Sequence, residues 1–379
     1  MKRYVLIPDS FKGTISSVEI CRIVSEAIRA QDPEAAICAV PVADGGEGTV
    51  DAFLAALGGE YVEMICKEPY GKDMSAHYAM LPDGTAVIEM AMAAGLPLVG
   101  EARNPEKTTT YGVGQMIAHA LHNGAKKIVL GLGGSATNDG GCGAAAALGV
   151  QFFNKDGKIF VPIGGTLKDI CHISTDEMDS LVRSTPFFTM CDIDNPLCGE
   201  NGASAIFGPQ KGADSAMVKR LDSGLQHLAA VIRQDLGLDI LDLPGSGAAG
   251  GFGGGSVAFF SSRLQMGINI ILDMANFDQQ AADADLVITG EGKLDSQSLR
   301  GKVVIGVARR AKALGVPVAA LVGGCETDIA ALYDEGVCGV FPINPLPAPF
   351  EEVKQQVRDN LRFTADNLFH FINALNAQL

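Results

Sequence analysis

The segment Gly131-Leu-Gly-Gly-Ser-Ala-Thr-Asn-Asp-Gly-Gly-Cys-Gly143 joins a predicted strand at residues 127–132 to a predicted helix at residues 144–148. Because glycine has no Cβ atom, such a backbone can present its amides to phosphate oxygens, and the N-terminus of the following helix favours the same anion. The alternative interpretation is a tight connection between strand and helix that binds nothing. Four polar residues favour binding: Ser135, Thr137, Asn138 and Asp139.

The same order of strand, polar loop and helix recurs along the chain. Residues 4–7 lead into a polar loop and a helix that begins near Ser16, whose spacing to Glu19 predicts a capping box. Residues 36–42 lead into a second polar loop and a helix over residues 49–57. Later strands are predicted at residues 85–90, 127–132, 187–191, 286–289 and 316–322. This alternation predicts parallel sheets covered by helices, which is an α/β fold.

The length of 379 residues exceeds that of a typical single domain, so we expect two domains that share one active cleft. Parallel sheets bind ligands beyond the carboxyl ends of their strands. Polar residues or glycine stand at these predicted ends: Asp9, Asp44, Glu89, Gly133, Asp192 and Glu291. One shared polar cleft would explain all of them.

The composition excludes several classes of protein. A formal net charge of -15 cannot supply the basic surface that nucleic acid requires, although lysines that converge locally could bind small anions. The nine cysteines are odd in number and contain no Cys-x-x-Cys pair, which predicts reduced, mostly buried thiols in a cytoplasmic protein. No targeting segment or membrane span is predicted, and nothing in the sequence specifies an oligomeric state.

Glycine patterns bear on nucleotide binding. Gly131, Gly133 and Ala136 satisfy the dinucleotide fingerprint literally, but the insertion of residues 137–141 before the helix spoils its geometry. No Gly-Lys-Ser or Gly-Lys-Thr with the required upstream glycine exists, so the P-loop class is excluded. Residues 245–255 predict a flexible loop that could close over a nucleotide, with a disordered surface loop as the alternative.

Three charged segments are candidates for phosphate and metal chemistry. Residues 289–302 place carboxylates and cations at a helix entrance, which suits a metal and phosphate complex, although a salt-bridged helix start is the alternative. Asp192 begins a calcium-loop pattern that Pro196 interrupts, so we predict Asp192 as a base or magnesium ligand. Lys211 lies in a predicted turn, where its ammonium could meet a carboxylate or phosphate, or face solvent. The histidines have no metal spacing.

Taken together, these motifs resemble those of the bacterial glycerate kinases of the glycerate 2-kinase type, which phosphorylate D-glycerate with ATP. The resemblance spans nearly the whole chain. The matching blocks are Pro8-Asp-Ser-Phe-Lys-Gly13, Val42-Ala-Asp-Gly-Gly-Glu-Gly-Thr49, Gly133-Gly-Ser-Ala-Thr-Asn-Asp-Gly-Gly141, Cys191-Asp with Asn195-Pro-Leu197, residues 199–211, Gly247-Ala-Ala-Gly-Gly251, Thr289-Gly-Glu-Gly292, Asp295-Ser-Gln-Ser298 and Gly301-Lys302. Each block is a weak signal alone, and the set is specific.

The resemblance implies two α/β domains. One is built from both chain ends, residues 1–70 with 290–379, and is flavodoxin-like or Rossmann-like. The other, residues 71–289, is inserted and rich in glycine. The resemblance also implies glycerate and ATP as substrates, ADP as a product, and 2-phosphoglycerate in preference to the 3-phospho isomer. The alternatives are a kinase of another small hydroxy or sugar acid, a nicotinamide-dependent dehydrogenase and a nucleotide-binding sensor.

Phosphoryl transfer needs charge neutralisation and an oriented hydroxyl, and this chemistry suggests roles for individual residues. Asp192 is predicted to orient or deprotonate the acceptor hydroxyl, and Lys12 to meet the transferring phosphate. The predicted Mg²⁺ ligands are Asp295, a catalytic candidate for that reason, and Asp192. The predicted acceptor-side residues are Asp9, Ser10, Asp44, Glu47 and Lys211. The predicted nucleotide-binding residues are Gly133, Gly134, Ser135, Thr137, Asn138, Gly290 and Glu291.

Overall fold

The computed structural model describes residues 1–295, 302–326 and 329–376. The chain divides into two compact units. Unit 1 consists of residues 1–44, 51–58 and 268–379, and unit 2 of residues 45–50 and 59–267. Residues 296–301 of the predicted charged segment lie outside the described residues. The domain boundaries expected from the sequence, at residues 70 and 290, differ from these unit limits and remain a prediction.

Strands and helices alternate along most of the chain, which confirms the predicted α/β class. The strands are β1 Arg3–Pro8, β2 Ala36–Ala39, β3 Glu60–Lys67, β4 Asp73–Met80, β5 Thr85–Glu89, β6 Lys127–Gly131, β7 Gln151–Phe153, β8 Ile159–Phe160, β9 His172–Ser174, β10 Phe187–Met190, β11 Arg263–Gln265, β12 Leu286–Glu291, β13 Val318–Val322 and β14 Val337–Pro342. The helices are α1 Ser17–Gln31, α2 Thr49–Leu57, α3 Ala91–Ala94, α4 Leu96–Val99, α5 Tyr111–His122, α6 Cys142–Ala147, α7 Ser180–Ser184, α8 Ala203–Phe207, α9 Ser215–Leu236, α10 Ala248–Phe260, α11 Gly267–Met274, α12 Phe277–Ala281, α13 Val303–Ala313, α14 Ala330–Asp334 and α15 Phe350–Asn376.

Unit 1 contains a five-stranded parallel sheet with the strand order β14-β13-β12-β1-β2. The apolar residues of β1 are buried, and the strand pairs with β12 from Tyr4↔Leu286 to Pro8↔Gly290. Helices α1 and α15 pack together, and their apolar residues complete the core. The Ser16 half of the predicted capping box is present, because the Ser16 hydroxyl accepts a hydrogen bond from the Glu19 N–H at 3.2 Å.

Unit 2 contains a six-stranded sheet in the order β11-β10-β6-β5-β4-β3 and a small antiparallel sheet in the order β8-β7-β9. In the larger sheet, β5, β6, β10 and β11 are parallel, whereas β3, β4 and β5 run antiparallel. The hairpin of β3 and β4 lies outside the predicted alternation of strands and helices. Its strand β3 buries one face only and exposes Tyr61 and Ile65 on the other, so it lacks the continuous apolar run that identified the parallel strands.

The prediction of a flexible loop at residues 245–255 is wrong. Most of this segment forms the buried start of α10, which is kinked by left-handed residues at Ala249, Gly250 and Gly251. A Cβ atom on Gly250 would lie 2.1 Å from the Thr137 carbonyl oxygen, and one on Gly255 would lie 2.0 Å from that of Gly140. The glycines therefore allow a helix to pack against another backbone, which is a packing role and not flexibility.

The cysteines differ from the expectation in their burial. All nine are free thiols, but only Cys21, Cys66 and Cys142 are buried. Cys171, Cys325 and Cys338 are exposed, so the prediction of mostly buried thiols is wrong. None of the helices in the described part of the chain is long and apolar enough to cross a membrane.

Candidate functional site

The candidate residues of unit 1 lie where its central strands end. Asp9 and Ser10 follow β1, and Gly290 and Glu291 end β12. Because these strands are parallel neighbours, the Asp9 N–H donates a hydrogen bond to the Gly290 carbonyl at 2.8 Å. Asp44 follows β2, which is the neighbour of β1 on its other side. It is close enough for its negative charge to raise the pKa of Asp9. The structure thus brings these five predicted residues together at one sheet edge.

Asp9 is a buried carboxyl group among other carboxylates. Its side chain is 7% exposed, and its Oδ1 accepts a hydrogen bond from the Ser10 N–H at 2.7 Å. Burial, together with the negative charges of Asp44 and Glu291, raises the pKa of Asp9 to about 7, although Ser10 and Lys12 oppose the change. A hydroxyl donor or a cation that reached this group would reduce the repulsion.

Lys12 supplies positive charge beside these carboxylates. Its ammonium group forms an ion pair with Asp44, and its side chain is 72% exposed. The loop that carries it is closed by a hydrogen bond from the Phe11 N–H to the Ile15 carbonyl at 2.9 Å. Because exposed ion pairs contribute little free energy, an incoming anion can replace Asp44 as the partner of this ammonium group at a small cost in free energy.

Replacing Asp9 by Asn should stabilise the protein at alkaline pH while lowering activity. The folded pKa of Asp9 lies above its unfolded value, so this residue lowers the free energy of unfolding as the pH rises from about 4 to about 7, and the variant avoids this loss. We expect the variant to be more stable by about 1 to 3 kcal/mol at pH 8 and by much less at pH 5. Urea denaturation at both pH values measures this, with the exposed Asp242→Asn as control; an equal gain at both would contradict it.

The glycines around Glu291 serve backbone packing. A Cβ atom on Gly290 would lie 2.1 Å from the Leu321 carbonyl oxygen, and one on Gly292 would lie 3.3 Å from the Phe11 Cα atom. The strand end of β12 is therefore pressed against both β13 and the loop that carries Lys12. Asp295 follows on this segment and lies 3.4 Å from the Lys293 ammonium group, so its carboxylate is partly neutralised.

The glycine-rich loop of unit 2 is mostly buried. Gly133 and Gly134 are accessible, Ser135 is 7% exposed, and the side chains of Thr137 and Asn138 lie in the interior. The Gly133 N–H donates to the Gly45 carbonyl at 2.8 Å, so this amide is already used. Among the residues that the structure describes, the N–H groups of Gly134 and Ser135 have no acceptor. The tip of the loop, Gly134 and Ser135, is therefore the part that can offer amides to an anion, and of these two residues Gly134 is the exposed one.

Asp139 fixes the buried half of this loop, a role that the sequence analysis did not assign to it. Its Oδ2 accepts hydrogen bonds from the Thr110 N–H at 2.8 Å, the Thr110 hydroxyl at 2.9 Å and the Gly143 N–H at 3.2 Å. Its Oδ1 accepts one from the Gly141 N–H at 3.2 Å. Burial raises the pKa of Asp139, while these donors lower it. The N-terminus of α6 is thus satisfied by the protein's own carboxylate, not by a ligand.

The segment at residues 45–50 contacts this loop. A Cβ atom on Gly133 would lie 2.4 Å from the Gly46 Cα atom, and one on Gly131 would lie 2.5 Å from the Gly45 carbonyl oxygen. The glycines that imitate a dinucleotide fingerprint are therefore used for packing, which removes the support for a dehydrogenase. Glu47 is exposed on this segment, and the Glu89 carboxylate accepts from the Val50 N–H at 2.7 Å.

Asp192 and Lys211 occupy different environments in unit 2. Asp192 follows β10, is half-buried, and its Oδ1 accepts a hydrogen bond from the Gly267 N–H at 2.8 Å. Lys211 is only 1% exposed, and its Nζ donates to the Thr137 carbonyl at 2.6 Å. The expected turn at Lys211 is present, as the 3₁₀ turn Pro209–Lys211, but its ammonium group faces the interior.

A cavity that the sequence did not indicate adjoins the exposed tip of the loop. It has a volume of about 570 Å³ and is lined by Leu96, Pro97, Gly100, Glu101 and Arg103. The Leu96 N–H donates to the Gly134 carbonyl at 2.9 Å, so one wall of the cavity is joined to the loop. Its lining combines apolar and charged side chains, as small-molecule sites do.

Comparison with known proteins gives one consistent result. The model of the Glycerate kinase family matches residues 4–373. A glycerate kinase of Bacillus cereus is 43% identical over 368 residues, which cover 97% of each protein. A glycerate 2-kinase of Escherichia coli is 41% identical over 368 residues, again 97% of each. A crystal structure assigned as a glycerate kinase 2 of Salmonella typhimurium has a TM-score of 0.89 and 40% identity, and covers 100% of both chains.

Proposed function

We infer the roles of individual residues from one premise: this chain belongs to the glycerate kinase family. It is a kinase that phosphorylates glycerate and takes the phosphoryl group from a nucleotide. We propose ATP as this nucleotide and the 2-hydroxyl of D-glycerate as the acceptor. The observation that carries the choice of hydroxyl is the similarity, over almost the whole chain, to a relative named glycerate 2-kinase.

We propose a cytoplasmic location for the enzyme. The free thiols support a reducing compartment of this kind.

The donor nucleotide is proposed to bind in unit 2, at the exposed tip of the glycine-rich loop. The N–H groups of Gly134 and Ser135 can donate to phosphate oxygens, and Gly134 has the left-handed φ of 72° that exposes its backbone. The adjoining depression is open to solvent, and Leu96 and Pro97 offer apolar surface there to a flat base. The buried positions of Thr137 and Asn138 favour a supporting role for these two predicted residues.

Glycerate is proposed to meet the carboxylates and the lysine of unit 1. Asp9 and Asp44 can accept hydrogen bonds from its hydroxyl groups, and Ser10 and Glu47 remain further candidates. The Lys12 ammonium group, 72% exposed, can neutralise either the glycerate carboxylate or the transferring phosphate. Asp192, oriented by the Gly267 N–H, is the proposed base for the hydroxyl that attacks.

A magnesium ion is the proposed cofactor, because the chain offers carboxylates of the kind that Mg²⁺ prefers as ligands. Mg²⁺ is bound in kinases by one or two carboxylates together with substrate phosphates, and Asp192 and Asp295 are the proposed carboxylates. The hydrogen bond from Gly267 holds the Asp192 carboxylate in one orientation, as is usual for a metal ligand. The ion would neutralise phosphate charge during transfer, while the protein residues bind and orient the acceptor.

Incubation with ATP, Mg²⁺ and D-glycerate should release ADP and yield 2-phosphoglycerate. Product identification by phosphorus NMR, with a parallel panel of C3 to C6 hydroxy and sugar acids, measures both acceptor and position. D-Glycerate should have the highest kcat/KM of the panel. Accumulation of the 3-phospho isomer would overturn the assignment of the hydroxyl, and a higher kcat/KM for a longer acid would overturn that of the acceptor.

A further inference from the structure

Lys211 is held in an enclosed turn beneath the glycine-rich loop. Its side chain is 1% exposed although it carries an ammonium group. The next residue, Gly212, has a φ of 95°, and a Cβ atom there would lie 2.6 Å from the Arg103 carbonyl oxygen. The Arg103 guanidinium donates to the Gln210 carbonyl at 3.0 Å. The turn is therefore fixed on both sides, and Lys211 has little access to a dissolved substrate.

The partner of the buried ammonium group is the backbone of the loop. Nζ donates to the Thr137 carbonyl at 2.6 Å, a short hydrogen bond that both the protonated and the neutral amine can donate. Burial lowers the pKa of Lys211 to about 7, and the negative charge of Asp139 opposes this change. An isolated buried ammonium group is costly, so its presence needs compensation from this carbonyl and this carboxylate.

Lys211 and Asp139 act on the same short stretch of backbone. Asp139 accepts its hydrogen bonds from Thr110 and from the start of α6, which fixes the C-terminal side of the loop. Lys211 fixes the carbonyl of Thr137, which lies two residues before Asp139 and two residues after Ser135. The interior charges thus determine the path of a backbone whose outer tip has two N–H groups without acceptors among the described residues.

We propose that Lys211 is a positioning residue for nucleotide binding, which holds the Thr137 carbonyl from the interior and so sets the Gly134 and Ser135 amides in place. This inference rests on the proposed binding of the donor phosphate at these amides. It assigns Lys211 to the donor side of the reaction and replaces the contact with the acceptor that the sequence suggested.

Kinetics of two variants test this role. Lys211→Met removes the donor and the charge but keeps the length of the side chain, and Lys211→Gln keeps an N–H donor. We expect Lys211→Met to raise the KM for ATP by about 10- to 100-fold, with the KM for glycerate changed less than about twofold. Lys211→Gln should show a smaller rise. Lys219→Met, an exposed lysine on α9, is the matched control and should leave both constants unchanged.

The outcomes separate this inference from the proposed function. A rise in the KM for glycerate with an unchanged KM for ATP would overturn the positioning role in favour of acceptor contact. An unchanged KM for ATP in folded Lys211→Met or Lys211→Gln would also overturn the positioning role. If Lys211→Met does not fold, the KM for ATP of Lys211→Gln decides alone. Wild-type enzyme that fails to phosphorylate glycerate would instead contradict the proposed function.

The pH dependence of stability tests whether Lys211 is buried, because an exposed lysine would not change it between pH 7 and 10. Because the folded pKa of Lys211 is below its unfolded value, this residue makes wild-type stability rise with pH between about 7 and 10. Asp139 is the charged group that faces it. Lys211→Met should therefore lose this rise, measured as the thermal midpoint against pH, whereas Lys219→Met should keep it. The same rise in Lys211→Met would contradict a buried ammonium group.

Discussion

Replacing Asp192 by Asn is expected to lower kcat for glycerate by about 100- to 10,000-fold, the range typical for loss of a general base. The substitution removes the negative charge and the proton acceptor. It keeps an oxygen that can accept from the Gly267 N–H, which lies 2.8 Å from Oδ1, so the fold should be preserved. Steady-state kinetics at saturating ATP and glycerate measure the effect, and the thermal midpoint checks the fold.

Asp194 provides the matched control for this experiment. It lies two residues further along the same segment and is exposed. Asp194→Asn changes the net charge by the same amount, and we expect kcat within about twofold of wild type, as for a surface substitution. Equal losses in the two variants would mean that Asp192 acts through the general charge of the segment. Turnover of Asp192→Asn near the wild-type value would end its assignment as the base.

Gly250→Ala is expected to destabilise the protein by about 3 to 5 kcal/mol. Two effects add at this position. Gly250 has a φ of 68°, which costs an L-residue free energy, and its new Cβ atom would lie 2.1 Å from the Thr137 carbonyl oxygen and 2.6 Å from the Asn138 Cα atom. Both of these are backbone atoms, so the loop or α10 must move. Urea denaturation followed by circular dichroism measures the free energy of unfolding.

Gly237 separates the two effects. It ends α9 with a φ of 70°, nearly the same as that of Gly250, but a Cβ atom there would meet nothing within 4 Å. Gly237→Ala should therefore cost only the conformational part, about 1 to 2 kcal/mol. If the two variants lose the same free energy, the close packing of Gly250 against the loop is not what stabilises this region.

Much of the arrangement in unit 1 follows from sequence periodicity. Apolar runs at residues 4–7 and 286–289 indicated strands, and the rule that ligands lie beyond the carboxyl ends of parallel strands placed Asp9 and Glu291 at one edge. The structure brings both residues to this edge, because β1 and β12 are hydrogen-bonded neighbours. Strand neighbours themselves were not predictable, since nothing local in either run specifies its partner.

The sequence could not predict which polar residues of the candidate site are buried. Lys211 is a residue type common in ligand-binding sites, but its Nζ is buried and donates to the Thr137 carbonyl, a partner distant in sequence. Glycine presents the same difficulty at residues 245–255. A glycine that gives a loop freedom and one that lets two backbones touch have the same sequence signature, and only the position of the second backbone distinguishes them.

The sheet of unit 1 has a consequence for biosynthesis. Strand β1 leaves the ribosome early, but its neighbour β12 begins about 280 positions later in the chain, after the whole of unit 2. Synthesis at about 5 to 20 residues per second leaves this side of β1 unpaired for roughly 15 to 55 seconds. During translation the unpaired side of β1 is therefore exposed to aggregation, and slowing elongation should lower the yield of native enzyme.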